Sequence, residues 1–413
     1  MTHPILKTLP LAVSLALTLA SGAIHASDAE GEYHGYFRAG VGSSTGGRGP
    51  QACYGLGGNT MRYRLGNECD TYGEFEYQKE MLKPVDGVSF VGHVMLAAYN
   101  PSSNVSGSDL SLSKMYVEAK NIPELNDGTA WIGKRYYMRP DIHFLDLQYV
   151  NMNGTGGGID QYKLGPGRVS YGFFKDKDVV GSSAIRQNLV YQGIPTNPDG
   201  TVEVLTSFIT PDAKDPATHS GWQVTLLHKQ DKTFGGANTL GFQHGVGPGT
   251  GAGGQCCDRI GTSGDIKNGA DVTRTRLFDS LWIQPTPNWS AELVALVQRD
   301  KSNVSGGTST WTSLGMRPAY AVSDHFKLQF ELGTDRVSSP TGGPAQRLTK
   351  ATFAPTLTAG KGYWDRPELR AFVTYAKWND AATAAVNQAN ESGPVFGKAT
   401  SGTSFGLQVE TWF

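Results

Sequence analysis

The sequence predicts an all-β fold, an exported transmembrane antiparallel β-barrel, on three observations. The first is the run 72–80, where Tyr72, Glu74, Glu76, Gln78 and Glu80 alternate with Gly73, Phe75 and Tyr77. A strand shows successive side chains to opposite faces, so one face here is acidic and polar and the other largely apolar. A polar face crowded with carboxylates suits a wet interior, with the apolar face turned to lipid. The second is composition. The chain has 413 residues, 53 of them Gly, and only 18% are charged, with a mean hydropathy of −0.32. Those figures are hard on long helices and natural for turns and strand kinks, and a barrel averages its lipid face against its lumen. The third is the absence, after the first 26 residues, of any apolar run approaching the ~18 that a spanning helix needs.

Those first residues carry Lys7, an apolar run over 9–19, and small residues ending Ala23-Ile24-His25-Ala26. This is the layout of a secretory signal, with cleavage expected after Ala26 and a single barrel domain over 27–413. A net charge of −1 and a pI near 6.8 argue against a nucleic-acid partner.

From Tyr33 onward, strand-like segments alternate with Gly, Pro, Asn and Asp clusters, and no long helical period appears. They fall at 33–42, 72–80, 88–99, 111–120, 129–137, 168–175, 201–209, 222–228, 239–244, 274–283, 290–298, 311–316, 326–333, 348–359, 366–377 and 404–413. Arg62 and Arg64 read as a further short strand ahead of Tyr72. In the segment 326–333, Phe326, Leu328, Phe330 and Leu332 oppose Lys327, Gln329, Glu331 and Gly333. Short turns at 284–288 and 322–325 alternate with long Gly/Ser/Asn-rich loops, the asymmetry of outer-membrane barrels. Chain length allows about 16 to 20 strands. The last segment ends on Phe413, an aromatic closing residue. A β-sandwich or propeller would bury the apolar face and need no aromatic girdles, and no internal repeat supports a propeller.

Four cysteines fit an oxidising compartment. Cys53 and Cys69 lie across a Gly-rich turn at a spacing suited to a bridge that pins a loop. Cys256 and Cys257 are adjacent, which fits either a strained ring or two thiols. No Cys or His pair sits at ligand spacing nearby, so no metal site is expected.

Tyr36, Tyr72, Trp364 and Trp412 are candidate inward aromatics, and Arg38, Arg64, Glu74, Arg139, Asp141 and Asp146 are candidate inward charges. A sugar ring has apolar C–H faces and an equator of hydroxyls, matched by aromatic faces and by charged hydrogen-bonding groups respectively. Interfacial girdles and a plain water-filled pore would use the same residue types. Gly42-Ser-Ser-Thr-Gly46 matches a nucleophile elbow formally, but leads into Gly-Gly-Arg-Gly-Pro rather than a helix. No enzyme and no cofactor is expected.

The runs His34-Gly-Tyr-Phe-Arg-Ala-Gly, Tyr63-Arg-Leu-Gly-Asn-Glu-Cys-Asp-Thr-Tyr, Gly133-Lys-Arg-Tyr-Tyr, Arg139-Pro-Asp-Ile-His-Phe-Leu-Asp and Arg366-Pro-Glu-Leu-Arg-Ala-Phe-Val-Thr-Tyr-Ala-Lys-Trp together resemble the maltoporin family. The match is tight in the first third and at the C-terminus, and loose between Tyr162 and Asn288. The resemblance implies a homotrimer of eighteen-stranded barrels in the bacterial outer membrane, passing maltose and maltodextrins by facilitated diffusion. It also implies a loop folded into the pore, matched by 139–158. A porin for other oligosaccharides or small hydrophilic solutes is the alternative. By position, Tyr36, Tyr72, Trp364 and Trp412 resemble the aromatic slide of that family. Arg38, Arg64, Glu74, Arg139, Asp141, His143 and Asp146 resemble its polar track and constriction. The constriction tyrosine falls at Gln148, and Phe234 or Phe242 lies near the position of the mid-barrel slide phenylalanine. The tryptophan contributed by a neighbouring subunit has no counterpart between Asn100 and Lys114.

Overall fold

The computed structural model describes residues 30–45, 51–56, 63–82, 84, 86–101, 109–177, 183–212, 215–254, 259–302, 306–388 and 395–413. The expected signal segment, Arg62 and the Cys256–Cys257 pair lie outside the described residues.

Eighteen strands form one antiparallel sheet in which each pairs with its neighbours in sequence. The first, Glu32–Ser44, pairs with the last, Ser401–Trp412, so the sheet closes and has no edge. In hydrocarbon no water is available to satisfy an unpaired edge, and closure removes the problem.

Facing follows the alternation in the sequence and is inverted relative to a soluble protein. In the strand Phe326–Val337, Lys327, Gln329 and Glu331 are 1%, 3% and 0% exposed, whereas Phe330 and Leu332 are 40% and 36% exposed. The apolar band continues around the wall through residues such as Phe75, Leu96, Ile132, Phe208, Leu277 and Leu407. Each such side chain would forfeit ~1.5–3 kcal/mol if left in water, which makes lipid its solvent. Outward aromatic pairs sit at the short-turn rim, Tyr33 with Tyr77 at 5.0 Å and Trp289 with Tyr320 at 4.7 Å. They form a girdle of the kind expected at a membrane interface.

Two strands fall outside the segments expected from sequence. Gly154–Leu164 begins inside the run assigned to the inward loop, which therefore ends at Asn153. Its opening Gly-Thr-Gly-Gly-Gly shows no alternation to read, and the glycines serve close backbone approach: a Cβ on Gly156 would lie 1.9 Å from the Phe173 carbonyl oxygen. Ser183–Pro195 was hidden because its inward Arg186 and Asn188 face outward Ile185, Gln187 and Leu189, a weak polarity contrast. Arg64 is a loop residue, not part of a strand ahead of Tyr72.

The protein's apolar core lies inside the barrel. The connection 136–153 turns into the lumen and makes a hairpin, Asp141–Ile142 against Leu147–Gln148, with His143–Leu145 at its tip. Phe144, Leu145, Leu147, Val150 and Met152 pack on inward Val190, Leu205, Leu227, Phe278 and Val294 of one wall. Wall side chains also serve the loop backbone. Arg186 donates to the carbonyls of Met152 (3.1 Å) and Asn153 (2.7 Å), and Gln243 to that of Tyr149 (2.7 Å). Buried carbonyls must find donors, and these supply them. The loop thus clings to one wall, and the open lumen runs along the opposite one.

The first long connection also folds inward. Cys53 and Cys69 are bridged, with Cα atoms 5.9 Å apart, within normal disulfide geometry. Ala52, Tyr54 and Leu56 pack on Leu348, Trp378 and Phe396, and the Arg64 amide donates to the Phe144 carbonyl at 3.0 Å.

Candidate functional site

The remaining free wall is built by the first, second and last strands. Tyr36 pairs with Glu74 on one side and Trp412 on the other; Arg38 pairs with Tyr72 and Glu410. Directly paired residues share a face, so this register turns all six into the lumen. The two inward loops supply what faces them. A cavity of about 370 Å³ is lined by Tyr36, Arg38, Tyr72, Glu74 and Trp412 from the wall, Arg64 from the first loop, and Arg139, Asp141, His143, Asp146 and Gln148 from the second. A second cavity of about 290 Å³ shares Asp141, His143 and Trp412 with it and adds Trp364. All the residues matched to the slide, the polar track and the constriction, Phe234 and Phe242 apart, therefore line one passage.

The charges are held by one another. Arg38 reaches Asp70 at 2.6 and 3.1 Å and Glu68 at 3.3 Å. Arg64 reaches Glu68 at 2.5 Å and Glu410 at 2.9 Å, and donates to the Tyr36 hydroxyl. Arg139 meets Glu74 at 3.3 Å, and Glu74 also accepts from the Tyr72 hydroxyl. Glu410 is shared with Arg366 at 3.2 Å and Arg370 at 2.5 Å. Paired in this way, charges stay ionised at low cost and present fixed donors and acceptors to a passing solute.

His143 is the hinge of this network. Its Nδ1 accepts from Arg64 at 3.1 Å, and its Nε2 lies 3.2 Å from Glu410. The network assigns a neutral ring with the proton on Nε2, donated to the carboxylate. Burial holds the imidazole below its ordinary range, and the Arg64 charge acts in the same direction.

The aromatics form a line. Tyr72 and Tyr36 are 6.1 Å apart, and Trp412 and Trp364 are 6.3 Å apart, with His143 at 5.6 Å from both indoles. Two lining aromatics, Tyr136 and Trp282, and Tyr99 behind Tyr72, had not been singled out from the sequence. Tyr136 lies beneath Arg139 at 4.2 Å, Tyr99 meets Tyr72 at 6.5 Å, and Trp282 meets Trp364 at 6.1 Å. Trp282 was readable from parity, since it shares a face with Arg274, Arg276 and Ser280 opposite Leu277 and Leu281. Phe234 and Phe242 are no part of the line. Phe234 sits in a short turn, 73% exposed, and Phe242 pairs with Leu277 on the lipid face.

Gln148 lies opposite Asp141 across the loop hairpin, with its amide oxygen accepting from Asn151 at 2.8 Å. Among the described residues no group of His, Cys, Asp or Glu is arranged to hold a metal.

Several solved structures share this fold. OccAB1 of Acinetobacter baumannii aligns with a TM-score of 0.50 at 12% identity, over 93% of this chain and 97% of that one. OccK3 (OpdO) of Pseudomonas aeruginosa aligns at 0.48 and 10%, over 93% and 96%. The trimer form of OmpT of Vibrio cholerae aligns at 0.41 and 11%, over 93% and 99%. A family model described as LamB porin matches residues 32–413. With its closed barrel and lined passage, the chain belongs to the LamB porin family, the maltoporins, and is an outer-membrane channel.

Proposed function

We propose that this channel is selective for sugars and passes maltose and maltodextrins down their gradient, with no chemical step. The supporting observation is the aromatic line from Tyr72 to Trp364 running beside the paired charges of Arg38, Arg64, Glu74 and Arg139 in one passage. Indole and phenol faces suit the C–H faces of glucose, and fixed charges suit its hydroxyls. A glucan can then slide by exchanging equivalent contacts. Export by a signal removed after Ala26 and assembly as a homotrimer belong to the same reading.

The test is conductance of the purified protein in planar bilayers, titrated with maltodextrins and with sucrose. Current block that saturates and tightens with glucan length is expected. Ohmic current unaffected by sugar would leave a general pore for small hydrophilic solutes. Intact mass of the exported protein checks the start at Ser27, and light scattering in detergent checks the trimer.

A further inference from the structure

Below the inward loop, on the short-turn side, the cavity of about 290 Å³ differs in chemistry from the one above it. The upper cavity contains three arginines. The lower one is lined by the carboxyl groups of Asp141 and Glu292, by Thr239 and His143, and by three indoles, Trp282, Trp364 and Trp412, and among the described residues no lysine or arginine lines it.

Both carboxylates have capacity to spare. Asp141 is exposed to the lumen, and no hydrogen bond to its side chain is present among the described residues. Glu292 is 3% exposed, and among the described residues only one of its oxygens is engaged, by the Tyr363 hydroxyl at 2.7 Å. The cation whose charge reaches it, Arg317, is itself tied to Glu331 at 2.6 Å. Glu292 is thus a carboxyl group out of bulk water, with an open oxygen and a wall of indoles around it, whose ionised form has no cation of its own. Taking such a charge out of water is costly unless a partner compensates it.

The ligand that completes this arrangement carries a positive charge that can lie against an indole and donate to a carboxylate. Resting on the sugar-channel reading above, we infer that the lower cavity is a subsite for a saccharide bearing a protonated amine. The amine would sit between Asp141 and Glu292, and the sugar ring against Trp282 and Trp364. A neutral glucan can pass the same indoles but brings no counter-charge for an ionised Glu292.

The experiment uses the full channel in planar bilayers at pH 7 with four solutes: glucosamine oligomers, their N-acetylated counterparts, maltotriose, and putrescine as a ring-less amine. Glucosamine oligomers are expected to block at about ten-fold lower concentration than the N-acetylated forms. Glu292→Gln should shrink that ratio toward one. If that variant does not assemble, Asp141→Asn, at an exposed loop position, carries the same test. Equal block by the amine and N-acetyl forms in the unmodified protein overturns the inference, as does a preference that survives both substitutions. Putrescine blocking as tightly as the amino sugar overturns the saccharide part. Amino-sugar block without maltotriose block keeps this subsite and removes the glucan reading; no block by any saccharide removes both.

Discussion

At Trp412 an indole stands 5.6 Å from His143 and has the Arg366 guanidinium 4.3 Å from its ring centre. Removing such a surface deletes one stacking contact, about 1 kcal/mol. Trp412→Ala and Tyr36→Ala should therefore each weaken sugar block about five-fold while leaving ion conductance nearly unchanged, since ions do not stack. Tyr77, on the lipid face, is the control; an equal loss in Tyr77→Ala would show the effect to be unrelated to the lumen. Gln148 offers an amide, its oxygen accepting from Asn151 at 2.8 Å, at the position matched by resemblance to a constriction tyrosine. Gln148→Tyr should lower single-channel conductance and strengthen maltodextrin block. Unchanged values for both would mean that position 148 does not set the constriction. His143 supplies the pH dependence. Its value in the folded protein is lowered, chiefly by burial, so the neutral form stabilises the fold fully above the ordinary histidine value of ~6.5. That contribution is lost as pH falls from there through the folded value, because the unfolded chain takes up the proton first. Acidification below ~6.5 should loosen the loop and raise open-channel noise, and His143→Asn should flatten that response.

The two inward loops depend on different anchors. The loop 136–153 is seated by its own apolar residues on the inward face of the wall, reinforced by Arg186 and Gln243. The first loop relies on the Cys53–Cys69 bridge and on Tyr54 packed between Trp378 and Phe396, at 6.1 and 5.2 Å. Closing a loop of that length is worth about 3 kcal/mol in the chain-entropy model. Cys53→Ser with Cys69→Ser should lower the melting temperature. It should also release Arg64, so that sugar block weakens without any lumen residue being replaced. Mass analysis of the native protein with and without reduction checks the bridge itself, and a free thiol at Cys53 would remove it. The strand Gly154–Leu164 escaped the sequence because glycine has no side chain with which to display a face. The loop's limit at 153 was blurred by the same glycines.

Across the whole molecule, inversion of polarity is the organising fact: apolar residues look out, and ions and hydroxyls look in. Alternation along a strand is local, so it could be read from 72–80 and 326–333 without knowing any partner strand. The same parity assigned Tyr36, Arg38, Tyr72 and Glu74 to one side. The lining positions of His143 and Gln148 came instead from resemblance, because loop residues have no period.

What the sequence determined by itself was therefore the barrel, its inward and outward faces and the residue types of the pore, since all of these follow from period-two patterning and short motifs. Only the tertiary structure decided which wall the loop covers, because that depends on Val190, Leu205, Phe278 and Val294, from four strands spread along the sequence, packing against one loop. It also decided that Trp282 extends the aromatic line while Phe234 and Phe242 do not. Register places Glu292 beside Trp282, and register is a pairing between strands that no single strand can display.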